Sequence, residues 1–141
     1  MLKIILDTNV FVSALINPHG KPSQILDCVF ENKLRLFLSA PIIEELEQVL
    51  NYPKLVKRHG LEEEEVEEFI SSLLSITSLV REEQTIKAIP CDPSDDKFLS
   101  CAISAKADCI ISGDEHLLNL DEYAGIRIVT PARFLEIMEE G

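Results

Sequence analysis

The chain has 141 residues, of which 46% are hydrophobic and 27% are charged. These proportions are typical of a folded globular domain and exclude a disordered or collagen-like chain. No apolar run reaches the roughly 18 residues that a transmembrane helix needs, and Asp7 interrupts the first apolar run too early for a signal peptide. We therefore expect a single domain over residues 1–141, working in the cytoplasm.

The charge is distributed unevenly along the chain. Residues 1–60 contain seven Lys or Arg and six Asp or Glu, whereas residues 61–141 contain six and nineteen. The formal net charge of −12 argues against a general nucleic-acid coat protein, because such proteins neutralise many phosphates with Lys and Arg. It is compatible with an enzyme that holds a few phosphates through metal ions, and a polyanion should approach the first half of the chain.

Short apolar runs alternate along the chain with segments of helical periodicity. The apolar runs predict five strands, at 2–6, 34–38, 79–80, 109–112 and 126–129. The periodic segments predict helices at 9–16, from a cap at Ser23 to about 30, at 41–50, at 54–59, at 62–75, at 96–107 and after Pro131. Strands that alternate with helices favour an α/β fold, a three-layer α/β/α sandwich around a parallel sheet.

Acidic residues follow two of the predicted buried strands. Asp7 ends the first strand, and Asp114 follows the fourth. Asp96 lies in the first turn of the helix that precedes the fourth strand, and Glu45 lies one turn into the helix that follows the second. Ligands of open parallel sheets bind outside the carboxyl ends of the strands, so these acids converge if the first and fourth strands are neighbours.

Four carboxylates without matching cations would repel one another and raise their pKa values, and a divalent cation would relieve this. Oxygen ligands suit Mg²⁺ or Mn²⁺ rather than zinc, and two-metal phosphodiester hydrolysis is the reaction that such a site supports most directly. Each acid alone has a simpler interpretation, since a single Asp at a strand end is more often a turn former or a helix cap. The prediction depends on the four acids occurring together.

Other kinds of site lack support. No GxGxxG or Walker A sequence is present, so neither a dinucleotide site nor a P-loop is predicted. The cysteines form no CxxC pair and are expected to be buried, reduced thiols: Cys28, Cys91, Cys101 and Cys109. The histidines lie in polar segments without a nucleophile motif and are interpreted as surface residues: His19, His59 and His116.

At the acidic residues the sequence resembles the PIN-domain family, metal-dependent ribonucleases that include the toxins of many prokaryotic toxin-antitoxin pairs. The similar segments follow one another in order over essentially the whole chain: IILDTNVF at 4–11, LSAPIIEEL at 38–46, DPSDDKFL at 92–99 and ADCIISGD at 107–114. The stretches 92–96 and 51–54 look most like a branch of the family described as toxin components.

The resemblance implies a five-stranded parallel sheet in the order 3-2-1-4-5, which makes the first and fourth strands neighbours. It implies a catalytic, metal-binding cluster formed by Asp7, Glu45, Asp96 and Asp114. Glu44 is the alternative to Glu45, and Asp95 is the alternative to Asp96. Two further side chains, Asn9 and Ser112, would orient the ligating carboxylates or the attacking water.

The function predicted from the sequence is a Mg²⁺- or Mn²⁺-dependent endoribonuclease that cleaves single-stranded RNA and serves as the toxin of a toxin-antitoxin pair. Asp7, Asp96 and Asp114 would hold one metal ion, and Glu45 would hold a second or orient the water. The RNA would lie along a basic set, if its members share a face: Lys21, Lys33, Arg35, Lys54, Lys57 and Arg58. The alternative for this set is a scattered, solvated surface.

The family resemblance also implies partners, since its members commonly form homodimers and its toxins bind an antitoxin protein. A second hypothesis is a catalytically silent PIN-like module that binds RNA or a protein. A third is a receiver-like or phosphatase domain. A phosphatase would place a second acid two residues after Asp7, where this chain has Asn9.

Overall fold

The structure, a computed structural model, describes residues 1–81 and 96–140, and this part of the chain contains six strands and eight helices. The strands are β1 (Lys3–Leu6), β2 (Arg35–Leu38), β3 (Ser78–Leu79), β4 (Cys109–Ile111), β5 (Glu122–Tyr123) and β6 (Ile126–Val129). The helices are α1 (Thr8–Ile16), α2 (Lys21–Phe30), α3 (Ala40–Leu50), α4 (Pro53–His59), α5 (Glu63–Ile76), α6 (Asp96–Ala105), α7 (Glu115–Leu118) and α8 (Pro131–Glu140). None of these helices is long and apolar enough to cross a membrane.

All strands belong to one sheet with the order β3-β2-β1-β4-β6-β5. Every neighbouring pair is parallel except β5 with β6. Without β5 the order is the predicted 3-2-1-4-5, and the first and fourth strands are neighbours, with Leu6 beside Ile111. The predicted α/β class with a mostly parallel sheet is therefore confirmed, whereas the count of five strands, all of them parallel, is wrong.

The additional strand, β5, is one arm of a short hairpin. Its two residues pair antiparallel with β6, with Tyr123 opposite Ile126. The turn residues Ala124 and Gly125 have φ values of 52° and 83°, and two consecutive positive φ values are typical of a type I′ hairpin turn. Asn-Gly or Asp-Gly is the usual sequence signal for this turn, so an Ala-Gly pair gives no indication of it.

Helices cover both faces of the sheet centre. Ile4 and Ile5 point to opposite faces because they are consecutive in a strand, and both are fully buried. Helix α6 packs across β1, β2 and β4, while α1 packs against α2, α3 and α4. Burial on both faces explains why β1 and β4 are continuous apolar runs in the sequence, and it produces the three-layer arrangement.

The local structure differs from the sequence predictions at α7, which was not predicted, at the start of α2 and at His59. Helix α2 begins at Lys21 rather than after Ser23, because Pro22 fits the first turn, where its missing N–H leaves no hydrogen bond unmade. His59 is half-buried: its Nε2 lies 2.9 Å from the Leu50 carbonyl oxygen, and the Leu61 N–H donates to its Nδ1 at 2.9 Å. It links the end of α3 to the segment before α5 and is not a surface residue.

The predicted burial of the cysteines holds for two of the three that the structure describes. Cys101 and Cys109 are buried, whereas Cys28 is half-buried. Cys91 lies outside the described residues, as does the stretch 92–95 that contains Asp95.

Candidate active site

Asp7 follows β1 directly and caps α1, which begins at the next residue. It is 4% exposed. Its carboxylate accepts hydrogen bonds from the Ser112 hydroxyl at 2.6 Å and from the Asn9 backbone N–H at 3.5 Å. The Asn9 side chain itself is exposed, so in this structure Asn9 contacts Asp7 only through its backbone.

Ser112 connects the carboxyl ends of β1 and β4. Its hydroxyl donates to Asp7 and accepts the backbone N–H of Asp114 at 2.9 Å. The Asp114 carboxylate in turn accepts the His116 backbone N–H at 3.0 Å and caps α7. A single buried hydroxyl therefore joins the two strand-end acids.

Burial raises the pKa of Asp7 above its ordinary value, because an ionised carboxylate loses water there. The hydrogen bonds from Ser112 and from the Asn9 N–H oppose this effect, and the nearby carboxylates of Asp114 and Glu45 add to it. On balance the pKa is raised. Three of the predicted acids thus interact electrostatically, in surroundings that favour a bound proton or a cation.

Glu45 has two partners of its own. One carboxylate oxygen accepts the hydroxyl of Thr8, and the other lies 2.8 Å from the ammonium nitrogen of Lys97. The alternative acid, Glu44, is exposed, whereas Glu45 is half-buried. The structure thus brings Glu45 rather than Glu44 close to Asp7.

Asp96 is the first residue of α6 and is 8% exposed. Helix α6 ends at Ala105, just before β4 begins at Cys109, and it packs against β1 and β4, so it runs in the direction opposite to these strands. Its first turn therefore lies at the edge of the sheet where β1 and β4 end. Sequence reasoning missed the next residue, Lys97, because a Lys beside an Asp at a helix start gives no signal that it pairs with an acid 52 residues away.

The acids fit a divalent cation in their chemistry, although they do not form a preassembled cage. Among residues 1–81 and 96–140, no three His, Cys, Asp or Glu side chains lie close enough together to hold a metal ion. Carboxylate oxygens are nevertheless the ligands that Mg²⁺ and Mn²⁺ prefer. Burial and repulsion also disfavour the charge on Asp7 when no cation is bound.

A groove beside this site contains part of the predicted basic set. It lies between α1 and α4, has a volume of about 450 Å³ and is lined by Asn9, Ser13, Asn17 and Arg58 among others. Lys54 and Lys57 are exposed on α4, the helix that carries Arg58. Three of the six predicted basic residues are therefore on one helix, and one of them, Arg58, lines the same groove as Asn9.

The other three basic residues are placed elsewhere. Lys33 pairs with Glu31, and Arg35 opens β2 beside Lys3, at the edge of the sheet opposite Asp7. Lys21 lines a cleft between α2 and α8. The predicted basic face is therefore limited to α4.

Comparison with known proteins gives a family and a fold. A family model described as PIN domain matches residues 3–116. An uncharacterized protein of Methanocaldococcus jannaschii is 34% identical over 147 residues, an alignment that covers 99% of this chain and 93% of that protein.

Two solved structures share the fold at low sequence identity. FitAcB from Neisseria gonorrhoeae matches with a TM-score of 0.59 and 18% identity, covering 92% of this chain and 98% of that one. VapBC2 from Rickettsia felis, bound to a DNA fragment from their promoter, matches with a TM-score of 0.58 and 16% identity, covering 90% and 97%. The matched family model, the identity to the archaeal relative and the observed strand order agree, and the chain belongs to the PIN-domain family.

Proposed function

We propose that this protein is a metal-dependent endoribonuclease that cleaves single-stranded RNA. PIN domains are generally nucleases that use divalent metal ions. The observation that best supports the proposal is the environment of Asp7, a buried carboxylate with a raised pKa that interacts with two other acids, Asp114 and Glu45. Ionising a buried carboxylate near other negative charges is costly unless a cation offsets the charge.

In this proposal Asp7, Asp96 and Asp114 hold one Mg²⁺ or Mn²⁺, and Glu45 holds a second or orients the attacking water. A bound metal ion polarises a phosphoryl oxygen and lowers the pKa of a coordinated water. The chain contributes the orientation of the ligands, since Ser112 fixes Asp7 and the backbone of Asp114 through one hydroxyl.

The groove between α1 and α4 is the proposed path for the RNA. It reaches Asn9, two residues beyond Asp7, and its far wall carries Arg58. A guanidinium binds phosphate with planar, paired hydrogen bonds, and the exposed Lys54 and Lys57 add positive charge on the same helix. These residues would hold the RNA strand while one of its phosphodiester groups lies beside the carboxylates of the proposed metal site.

The biological part of the proposal follows from the family, which includes the toxins of prokaryotic toxin-antitoxin pairs. We propose a cytoplasmic toxin, with an antitoxin protein as its partner and a homodimer as its assembly. Co-expression with a candidate antitoxin protein, followed by co-purification and size-exclusion chromatography, tests both partners. Recovery of the chain alone as a monomer would refute this part.

Cleavage of a labelled single-stranded RNA pool tests the enzymatic proposal. Purified protein is assayed with Mg²⁺, with Mn²⁺ and with EDTA, beside an Asp7→Asn variant and an Asp27→Asn control, since Asp27 is an exposed acid on α2. We expect metal-dependent cleavage that falls by at least about 100-fold in Asp7→Asn and is unchanged in the control.

Other outcomes would refute the proposal. Equal activity in the wild type and in Asp7→Asn would indicate a contaminating nuclease. RNA binding without cleavage in any metal would favour the alternative function, a PIN-domain module that binds RNA without cleaving it.

A further inference from the structure

Lys97 forms an ion pair with Glu45 that is largely shielded from water. Its ammonium nitrogen lies 2.8 Å from a Glu45 oxygen, and the two side chains are only 20% and 26% exposed. In the other ion pairs of the described residues, every partner is at least 42% exposed. The Lys97–Glu45 pair is thus much better shielded from water than these three pairs.

The Lys97–Glu45 pair also lies beside the proposed metal site. Glu45 contributes to the electrostatic environment of Asp7, and Lys97 directly follows Asp96 in the first turn of α6. With one oxygen of Glu45 on the Thr8 hydroxyl and the other on Lys97, both oxygens have partners. The lysine is therefore placed where a cation would otherwise be needed.

We propose that Lys97 is an internal counter-ion that competes with a divalent cation for Glu45. This inference rests on the proposed function, because it concerns the same metal site. Without metal, the ammonium neutralises Glu45 and limits repulsion around Asp7. When a cation binds, Glu45 must leave Lys97 before it can contribute to the site, so the ion pair weakens metal binding.

Neither of two merely structural roles predicts tighter metal binding when the lysine is removed. If Lys97 only anchored Glu45 in the orientation that the site requires, then removal of the lysine would release Glu45 and weaken metal binding. If it only joined α3 to α6, removal would lower stability without a specific change in metal affinity. The direction of the change in metal affinity therefore separates the three roles.

Calorimetric titration of Mn²⁺ into the metal-stripped full chain measures this direction. The variants are Lys97→Met, which removes the charge, Lys97→Gln, which retains a hydrogen-bond donor, and Lys97→Arg, which retains the charge. Lys106→Met is the matched control, because Lys106 is exposed and follows the far end of α6. Circular dichroism checks that each variant is folded.

We expect the Kd for Mn²⁺ to fall about tenfold in Lys97→Met and Lys97→Gln, within the usual range for coupling between two ligands. Lys97→Arg and Lys106→Met should stay within about twofold of the wild type. Unchanged or weaker Mn²⁺ binding in both uncharged variants would overturn the proposal, as would the absence of Mn²⁺ binding in every variant.

Cleavage of the RNA pool by the same preparations keeps the two proposals distinguishable. Tighter Mn²⁺ binding in the uncharged variants, without RNA cleavage by any protein, would support the counter-ion and refute the nuclease. Metal-dependent cleavage with no gain in Mn²⁺ affinity would support the nuclease and refute the counter-ion.

Discussion

Replacement of Ser112 by alanine should destabilise the metal-free protein strongly. Ser112 is fully buried, donates to the Asp7 carboxylate at 2.6 Å and accepts the Asp114 N–H at 2.9 Å. A hydrogen bond to a charged group contributes about 1.5–3 kcal/mol and a neutral one about 1 kcal/mol, so the free energy of unfolding should fall by about 2.5–4 kcal/mol. For a chain of this size, about 2–4 °C of Tm is lost per kcal/mol, which predicts a decrease of about 5–15 °C.

The chain offers a matched control for this variant. Ser39 is also fully buried and also follows a strand, but its hydroxyl has no hydrogen-bond partner among the described residues. Ser39→Ala should therefore change the stability by less than about 0.5 kcal/mol or increase it, because no bond is lost.

Urea denaturation in EDTA at neutral pH and at about pH 4 measures both variants. The loss in Ser112→Ala should be smaller at the lower pH, since its stronger bond is to the ionised form of Asp7 and protonation removes that charge. Equal losses in Ser112→Ala and Ser39→Ala, or a loss below about 1 kcal/mol in Ser112→Ala, would refute the bridging role of the hydroxyl.

Three further predictions concern single residues. Because burial raises the pKa of Asp7, the folded metal-free protein binds a proton more tightly than the unfolded chain, and stability should fall as pH rises above the unfolded value of about 3.9. In urea denaturation with EDTA, the free energy of unfolding of Asp7→Asn relative to that of the wild type should therefore increase between about pH 4 and pH 7. A decrease over this range would contradict the raised pKa. His59→Ala loses both ring hydrogen bonds and should cost about 1–2 kcal/mol in thermal denaturation, whereas the exposed His19→Ala should cost nothing measurable; equal effects would show that the ring bonds are not stabilising. Ala124→Asn creates the Asn-Gly pair that a type I′ turn favours and should raise stability by about 0.5–1 kcal/mol, and a lower Tm would argue against the positive φ at this position.

The parts of the fold that the sequence predicts are those in which local pattern and tertiary burial agree. β1 and β4 are apolar throughout because both faces are covered, so their hydrophobic runs are visible without a structure. β5 has only two residues and is stabilised by its pairing with β6, so its own sequence carries no strand pattern. Its addition explains the error in strand number.

The candidate site likewise contains residues that the local pattern predicts and residues whose role depends on packing alone. Asp7 and Asp114 could be predicted because their positions depend only on where two strands end. Spacing along α3 could not distinguish Glu44 from Glu45, because both lie within one helical turn and only packing decides which is exposed. The role of His59 was missed for a related reason: both of its partners are backbone groups, and these leave no mark in a sequence.

The bond between Ser112 and Asp7 joins residues 105 positions apart. While the chain is being synthesised, a ribosome-bound product that ends just before β4 already contains Asp7, Glu45 and Asp96. It lacks Asp114, the strand that pairs with β1 and the hydroxyl that fixes Asp7. Contacts of such long sequence separation form only after most of the intervening chain is available. A translation product truncated just before β4 therefore carries three of the four acids without the framework that brings them together.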